Sequence, residues 1–208
     1  LMRNVMSKKN NAGFMYLALL GAAITTLCDG VHVYTQTLSY TTPFLFGQAW
    51  WVFPGFVLAF LFMGGVYFGL VNRLPLFFAV KKSISGGSLR DVVETATAFA
   101  LIYVMSGLGS NEPLLLSAVF YGTFVLRLAF SYDRLFLLLL AVLMAFGGMF
   151  VESLYAAAGL MAYRYPDVFY VPFWLGGLYV HGAFALREGM RFFVYDRKPG
   201  TLISVSPL

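Results

Sequence analysis

The chain has 208 residues, of which 60% are hydrophobic, 18% aromatic and only 11% charged. Soluble domains carry about 25% charged residues, so this deficit, with a mean hydropathy of +0.79, excludes a water-soluble globule and predicts an integral membrane protein. A single cysteine, Cys28, excludes an internal disulfide framework and a multi-thiolate metal site.

Apolar runs able to cross about 30 Å of hydrocarbon as helices predict six spans, at about 12–28, 49–71, 92–108, 113–130, 135–161 and 168–186. The first follows Lys8 and Lys9 as a signal peptide would, but it lacks a small-x-small cleavage site and is read as a retained helix. The second opens on "AWWVFP" and carries Gly64, Gly65 and Gly69; the Gly65-x-x-x-Gly69 spacing lets another helix approach closely. Spans three and four read as a tight hairpin broken at Gly109, Asn111 and Pro113. The fourth and fifth are joined by "SYDR". Asp133 and Arg134 are then expected at the surface, where an exposed pair contributes about 0–1 kcal/mol. Aspartate does nothing for topology, so Asp133 asks for a further reason: neutralising Arg127, or offering an acceptor to a partner helix. Glycines recur in the fifth span (Gly147, Gly148) and the sixth (Gly176, Gly177, Gly182), predicting a bundle compact around spans two, five and six. No separate soluble domain, low-complexity tract or internal repeat is evident.

Basic residues near the spans stay on the cytoplasmic side. An inside N-terminus places every Lys and Arg inside except Arg164, so both termini are predicted cytoplasmic. The net charge of +5 is that same bias and leaves no basic stripe for nucleic acid. In the tail, "REGMRFFVYDRKPG" reads as a stop-transfer flank or as an amphipathic helix on anionic lipid. The expected fold class is all-α: one polytopic domain, residues 1–208, of six transmembrane helices, with a short basic tail over 187–208.

The chemistry available is sparse. Ser106 or Ser110 with His181 could suggest an intramembrane serine hydrolase, but "MSGLGSNE" closes a span where that chemistry needs a serine at a turn that opens a helix. His32 and His181 lie on different segments, and no metal-binding, paired-carboxylate or phosphate-loop motif is present. No cofactor is expected. Ionisable residues within the bilayer are costly, about 2.5–3.5 kcal/mol at a helix centre, and so are functional suspects. Glu152, in "GGMFVESLYAAAG", is the deepest: either hydrated near a span end or the polar end of an internal cavity. Asp29, Glu94 and Glu112 read as interfacial. A bundle rich in Phe, Tyr, Met and Leu with few polar groups has the composition of a lipid pocket. The expected lining residues are Trp50, Trp51, Phe99, Tyr103 and Tyr155 with Glu152, among spans two to five. A small transporter is the alternative; it would need broken helices and charges at mid-membrane.

Two stretches carry a resemblance. "AWWVFP" and "YPDVFYVPFWLGGLYVHGAFALREGMR" resemble the Insig family of six-span endoplasmic-reticulum proteins of sterol regulation. Ala49, Trp50, Trp51, Val52 and Pro54 match the opening of that family's second span. Pro166, Asp167, Tyr170, Val171, Trp174 and Leu175 match the approach to its sixth, and Arg191 matches its later arginine. "SYDR" supplies the family's aromatic-Asp-Arg at the end of the fourth span. The tryptophan pair before that aspartate, the early glutamine of the fourth span and the paired cysteines are missing, which marks a distant homologue, bacterial sources included. The resemblance implies a non-enzymatic regulatory protein that binds an oxysterol; the pocket composition is read as suiting a sterol or a diacylglycerol-like lipid. The resemblance also implies that Asp133 and Arg134 contact a polytopic membrane partner. A homo-oligomer is expected, in the endoplasmic reticulum of a eukaryote or the cytoplasmic membrane of a bacterium.

Overall fold

The computed structural model describes residues 11–75, 78, 84 and 87–195; the sequence expectations for the N-terminal lysines, for Lys81 and Lys82 and for the tail beyond Tyr195 lie outside these. Six α-helices follow in order: α1 Asn11–Tyr34, α2 Val52–Arg73, α3 Leu89–Leu108, α4 Pro113–Ala129, α5 Arg134–Ala157 and α6 Trp174–Gly189. The last continues as a π-helical turn, Met190–Tyr195. The protein is thus an all-α polytopic membrane protein. Helices α1, α2, α3 and α5 are long and apolar enough to cross a membrane, while α4 is a shorter apolar helix. Their outer faces carry exposed apolar side chains such as Leu58, Phe62, Leu101, Val125 and Phe146, as a lipid-facing surface requires.

Local chemistry sets several boundaries. The Ser88 hydroxyl accepts from the Asp91 N–H at 3.1 Å and starts α3 as an N-cap should, and Pro113 opens α4, where its missing N–H costs nothing. Glycine and proline close the α3–α4 hairpin as expected. The expected end of the first span at residue 28 is too early: α1 runs on through Asp29 and His32 to Tyr34, because both polar side chains find buried partners. Two short strands on the side away from the basic residues were also not expected. β1 (Leu38–Tyr40) and β2 (Met161–Tyr163) pair antiparallel, Leu38 opposite Tyr163 and Tyr40 opposite Met161. β2 begins at Met161, expected as the last residue of the fifth span, which instead stops at Ala157.

The centre of the bundle is α6, nearly all of which is buried; it packs against α3, α4 and α5, whereas α2 packs on α1 at the periphery. The expectation of a core around spans two, five and six holds in part: Tyr67 of α2 is fully buried against Phe136 of α5 at 5.0 Å, but α3 and α4 also pack on α6. Its glycines explain the close approach. A methyl on Gly177 would sit 2.8 Å from Phe120 Cβ, and one on Gly182 would sit 2.9 Å from Met144 Cε. In α2 the close approach falls at Gly64 and not at the Gly65-x-x-x-Gly69 pair. Nothing lies within 4 Å of a methyl on Gly65 or Gly69, whereas one on Gly64 would meet Phe14 Cε2 at 2.2 Å. Gly64→Ala is therefore expected to destabilise by about 1–3 kcal/mol, the usual cost of overpacking. Gly65→Ala is expected to stabilise slightly, since glycine is the poorer helix former by up to about 1 kcal/mol. Denaturant unfolding of the two variants in detergent checks this; equal effects would contradict the packing.

Candidate functional site

Polar side chains cluster at both ends of the bundle. At the end bearing the strands, the Glu152 carboxylate on α5 accepts hydrogen bonds from the hydroxyls of Tyr163 on β2 and Tyr179 on α6. On α1, Asp29 Oδ2 accepts from the Tyr40 hydroxyl and the Gln48 amide, each at 2.8 Å. Burial, then the nearness of Asp29 and Glu152, holds the Tyr40 phenol well above its ordinary pKa. Tyr163 is held likewise, by burial and then by Glu152. Both phenols are thus fixed as donors to carboxylates.

Most of the expected lining residues meet around these acids. The Trp51 ring lies 5.5 Å from Tyr40 and 5.1 Å from Tyr155. Phe99 meets Tyr103 edge-on at 5.8 Å, and Tyr103 stacks on His32 at 4.6 Å. Trp50 does not join them: it is 69% exposed, because it precedes Trp51 at the start of α2 and projects the other way. Two cavities lie at the ends of the bundle. One of about 510 Å³ is lined by Val33, Gln36, both strands, Gly47 and Arg164. The other, of about 310 Å³, is lined by Asp91, Glu94, Thr95, Tyr132, Arg187, Glu188 and Arg191.

The serine–histidine alternative does not assemble. Ser106 lies 2.7 Å from His32 Nε2, and its hydroxyl donates to the Tyr103 carbonyl at 2.7 Å, so its proton is already committed. His181 instead donates from Nε2 to the Phe120 carbonyl and accepts at Nδ1 from Arg127, both at 2.9 Å. Ser110 accepts from the Thr37 hydroxyl at 3.1 Å. Ser106, Ser110 and His181 are all buried.

At the basic end, Asp133 is not the exposed loop residue expected. It is 1% exposed and paired with Arg187 Nη1 at 2.5 Å, not with Arg127. The ion chain continues from Arg187 Nε to Glu188 at 2.8 Å, and Glu188 takes Arg191 at 2.7 Å. The physical reason is that α6, being central, brings its terminal arginines against the α4–α5 turn. Arg134 remains exposed, and the Arg127 guanidinium lies 4.1 Å over the Phe184 ring.

The remaining motif positions are structural in geometry. Pro54 sits in the first turn of α2. After Pro166, Asp167 Oδ2 accepts from the Phe173 N–H at 3.1 Å, tying the loop to the start of α6. Tyr170 has a left-handed φ of 71°, and Trp174 is 1% exposed. Sequence reasoning read Asp29 as interfacial and missed Gln48, Tyr40 and Tyr163, whose only signal was polar groups adjoining apolar runs, and Tyr179, which lies inside the sixth span.

No family model and no curated protein sequence matches this chain. Among solved structures, it is similar to a mycobacterial Insig homologue, MvINS from Mycobacterium vanbaalenii, with a TM-score of 0.67 and 23% identity over 88% of this chain and 94% of that one. A cross-linked trimer of a variant of MvINS matches with the same TM-score and 21% identity over 88% and 96%. The six-helix bundle with α6 at its centre is therefore the Insig-type fold, in a chain only distantly similar in sequence to the mycobacterial protein.

Proposed function

We propose that this is a non-enzymatic, lipid-binding regulatory protein of Insig type, which holds a sterol or diacylglycerol-like lipid with its polar end at Glu152. The observation that carries the reading is the convergence of Trp51, Phe99, Tyr103 and Tyr155 around Asp29 and Glu152. Apolar walls with a few convergent polar groups are the usual make-up of a ligand site, and an acid at membrane depth is retained for a purpose. Tyr163 and Tyr179 occupy the Glu152 oxygens, so a lipid head would reach the carboxylate by displacing them. The likeness to a protein crystallised as a cross-linked trimer supports a homo-oligomer. The likeness to a mycobacterial protein supports a bacterial cytoplasmic membrane. For Asp133 the proposed role is to hold the α4–α5 turn that a partner helix would meet, with the exposed Arg134 making the contact.

Native mass spectrometry of gently extracted protein tests the reading. The expected result is one co-purifying lipid species enriched over the bulk membrane, and Glu152→Gln is expected to lower its retention about tenfold while leaving the fold intact. Recovery of bulk phospholipid in membrane proportions, or identical retention by the variant, would sink it.

A further inference from the structure

The four strand-side elements repeat at one spacing. α1 (Asn11–Tyr34) and α5 (Arg134–Ala157) are both 24 residues long, and each begins, ends and leads into its strand 123 positions from the other, the separation of Ser39 from Ala162. All six positive-φ residues among those described fall into three pairs at this spacing: Gln36 with Gly159, Phe46 with Phe169, Gly47 with Tyr170. The turn bridge Leu45–Gln48 repeats as Val168–Val171. Thr41 N–H donates to the Leu160 carbonyl at 3.2 Å, and Arg164 N–H donates to the Thr37 carbonyl at 3.0 Å; exchanging the copies turns one bond into the other. Side chains follow. Trp51 lies against Tyr40 of its own copy and Tyr155 of the other, and Trp174 lies against Tyr163 of its own copy and His32 of the other, at 6.2 and 5.8 Å. Pairing centred on Ser39 and Ala162 sets a pseudo-two-fold axis through the sheet. Both copies start from the same side, so that axis runs along the membrane normal, the arrangement of parallel repeats.

Under this operation Asp29 becomes Glu152, and Tyr40, the donor to Asp29, becomes Tyr163, a donor to Glu152. Trp51 links the two: its ring lies 5.5 Å from Tyr40, the donor to Asp29, and 5.1 Å from Tyr155, three residues after Glu152 on α5. Among the described residues, no ion pair includes either of them. Two buried polar atoms in the same shell lack a partner, His32 Nδ1 and Trp174 Nε1. Because Ser106 gives its proton to Tyr103, His32 Nε2 donates to Ser106, and Nδ1 is a bare acceptor.

We propose that Asp29 and Glu152 are the symmetry-related halves of one site on the pseudo-two-fold axis, which takes a hydrogen-bond-donating head group, hydroxyl or ammonium, and rejects anionic ones. The inference rests on the lipid-binding reading above and specifies its ligand class. A pair of acids without a cation, Asp29 buried and Glu152 half-buried, is compensated by donated protons or positive charge and repels an anion. The open His32 acceptor and Trp174 donor suit a hydroxyl, and the surrounding rings suit an ammonium.

The test uses three lipids of one chain length, mono-olein, oleylamine and oleate, competing for the detergent-purified protein at neutral pH, read by native mass spectrometry. Retention of mono-olein or oleylamine at least about tenfold over oleate is expected, and which of the two leads identifies the head as hydroxyl or amine. Asp29→Asn and Glu152→Gln are each expected to narrow that preference by similar factors, with Asp29→Glu restoring it. If Asp29→Asn fails to fold, Tyr40→Phe and Tyr163→Phe replace the pair and are expected to shift the preference equally. Equal retention of oleate, or a preference that depends on Glu152 and not on Asp29, overturns the two-acid site while leaving lipid binding intact. Retention of none of the three overturns the lipid-binding reading and this inference with it.

Discussion

Replacing Asp133 by alanine is expected to cost about 3–5 kcal/mol, because it strands the Arg187 guanidinium without its buried partner. Asp133 is nearly inaccessible and its pair with Arg187 is 2.5 Å long. Arg187 also reaches Glu188, which in turn holds Arg191, so the loss spreads along the chain of ions. Arg134→Ala, one residue away and exposed, is expected to change stability by no more than about 0.5 kcal/mol. Unfolding in mild detergent, followed by the loss of helical circular dichroism, measures both. Asp133→Leu combined with Arg187→Met removes both charges and is expected to recover most of the loss. An Asp133→Ala loss below about 1 kcal/mol would show that the pair is solvated and that the chain of ions is not holding α6 to the α4–α5 turn.

Trp174→Ala is expected to be the other severe change, at about 3 kcal/mol, the low end for a buried tryptophan. The low end applies because lipid, unlike water, offers apolar surface almost as favourable as the protein interior, so most of the cost is the cavity and the lost contacts. Trp174 fills the space between His32 and Tyr163 at the head of the central helix and is 1% exposed. Trp51, its counterpart in the first copy, is only half-buried, since the α3–α4 hairpin packs on α6 and not on α2. Trp51→Ala is therefore expected to cost clearly less. Thermal unfolding of the two variants compares them, and equal losses would mean that the asymmetry introduced by α3 and α4 has no energetic weight.

The sequence was legible where the physics is local or averaged. Apolar run length identified six membrane helices, and Gly109 and Pro113 marked the α3–α4 turn; the Trp51 and Trp174 motifs carried the resemblance that the fold bears out. It was misleading wherever a polar residue's fate depended on a distant partner. Asp29 looked interfacial because hydropathy has no term for Tyr40 and Gln48 closing over it. Ser106 seemed to invite His181, yet it meets His32, 74 positions away. Asp133 looked solvated because Arg187 lies 54 positions downstream. Gly65 and Gly69 satisfied a spacing, but the rotation of α2 about its axis turned Gly64 toward α1 instead. The internal duplication escaped detection because it is held by backbone geometry, with Tyr40, Pro43, Phe46 and Trp51 recurring as Tyr163, Pro166, Phe169 and Trp174 amid otherwise dissimilar neighbours. Burying apolar length in a bilayer is an additive property of consecutive residues, so the sequence alone determined that this chain is a polytopic membrane protein of six helices. Pairing a buried charge, choosing which glycine a neighbour touches and joining Asp29 with Glu152 across an axis all require two distant segments to meet, and only the tertiary structure decided those.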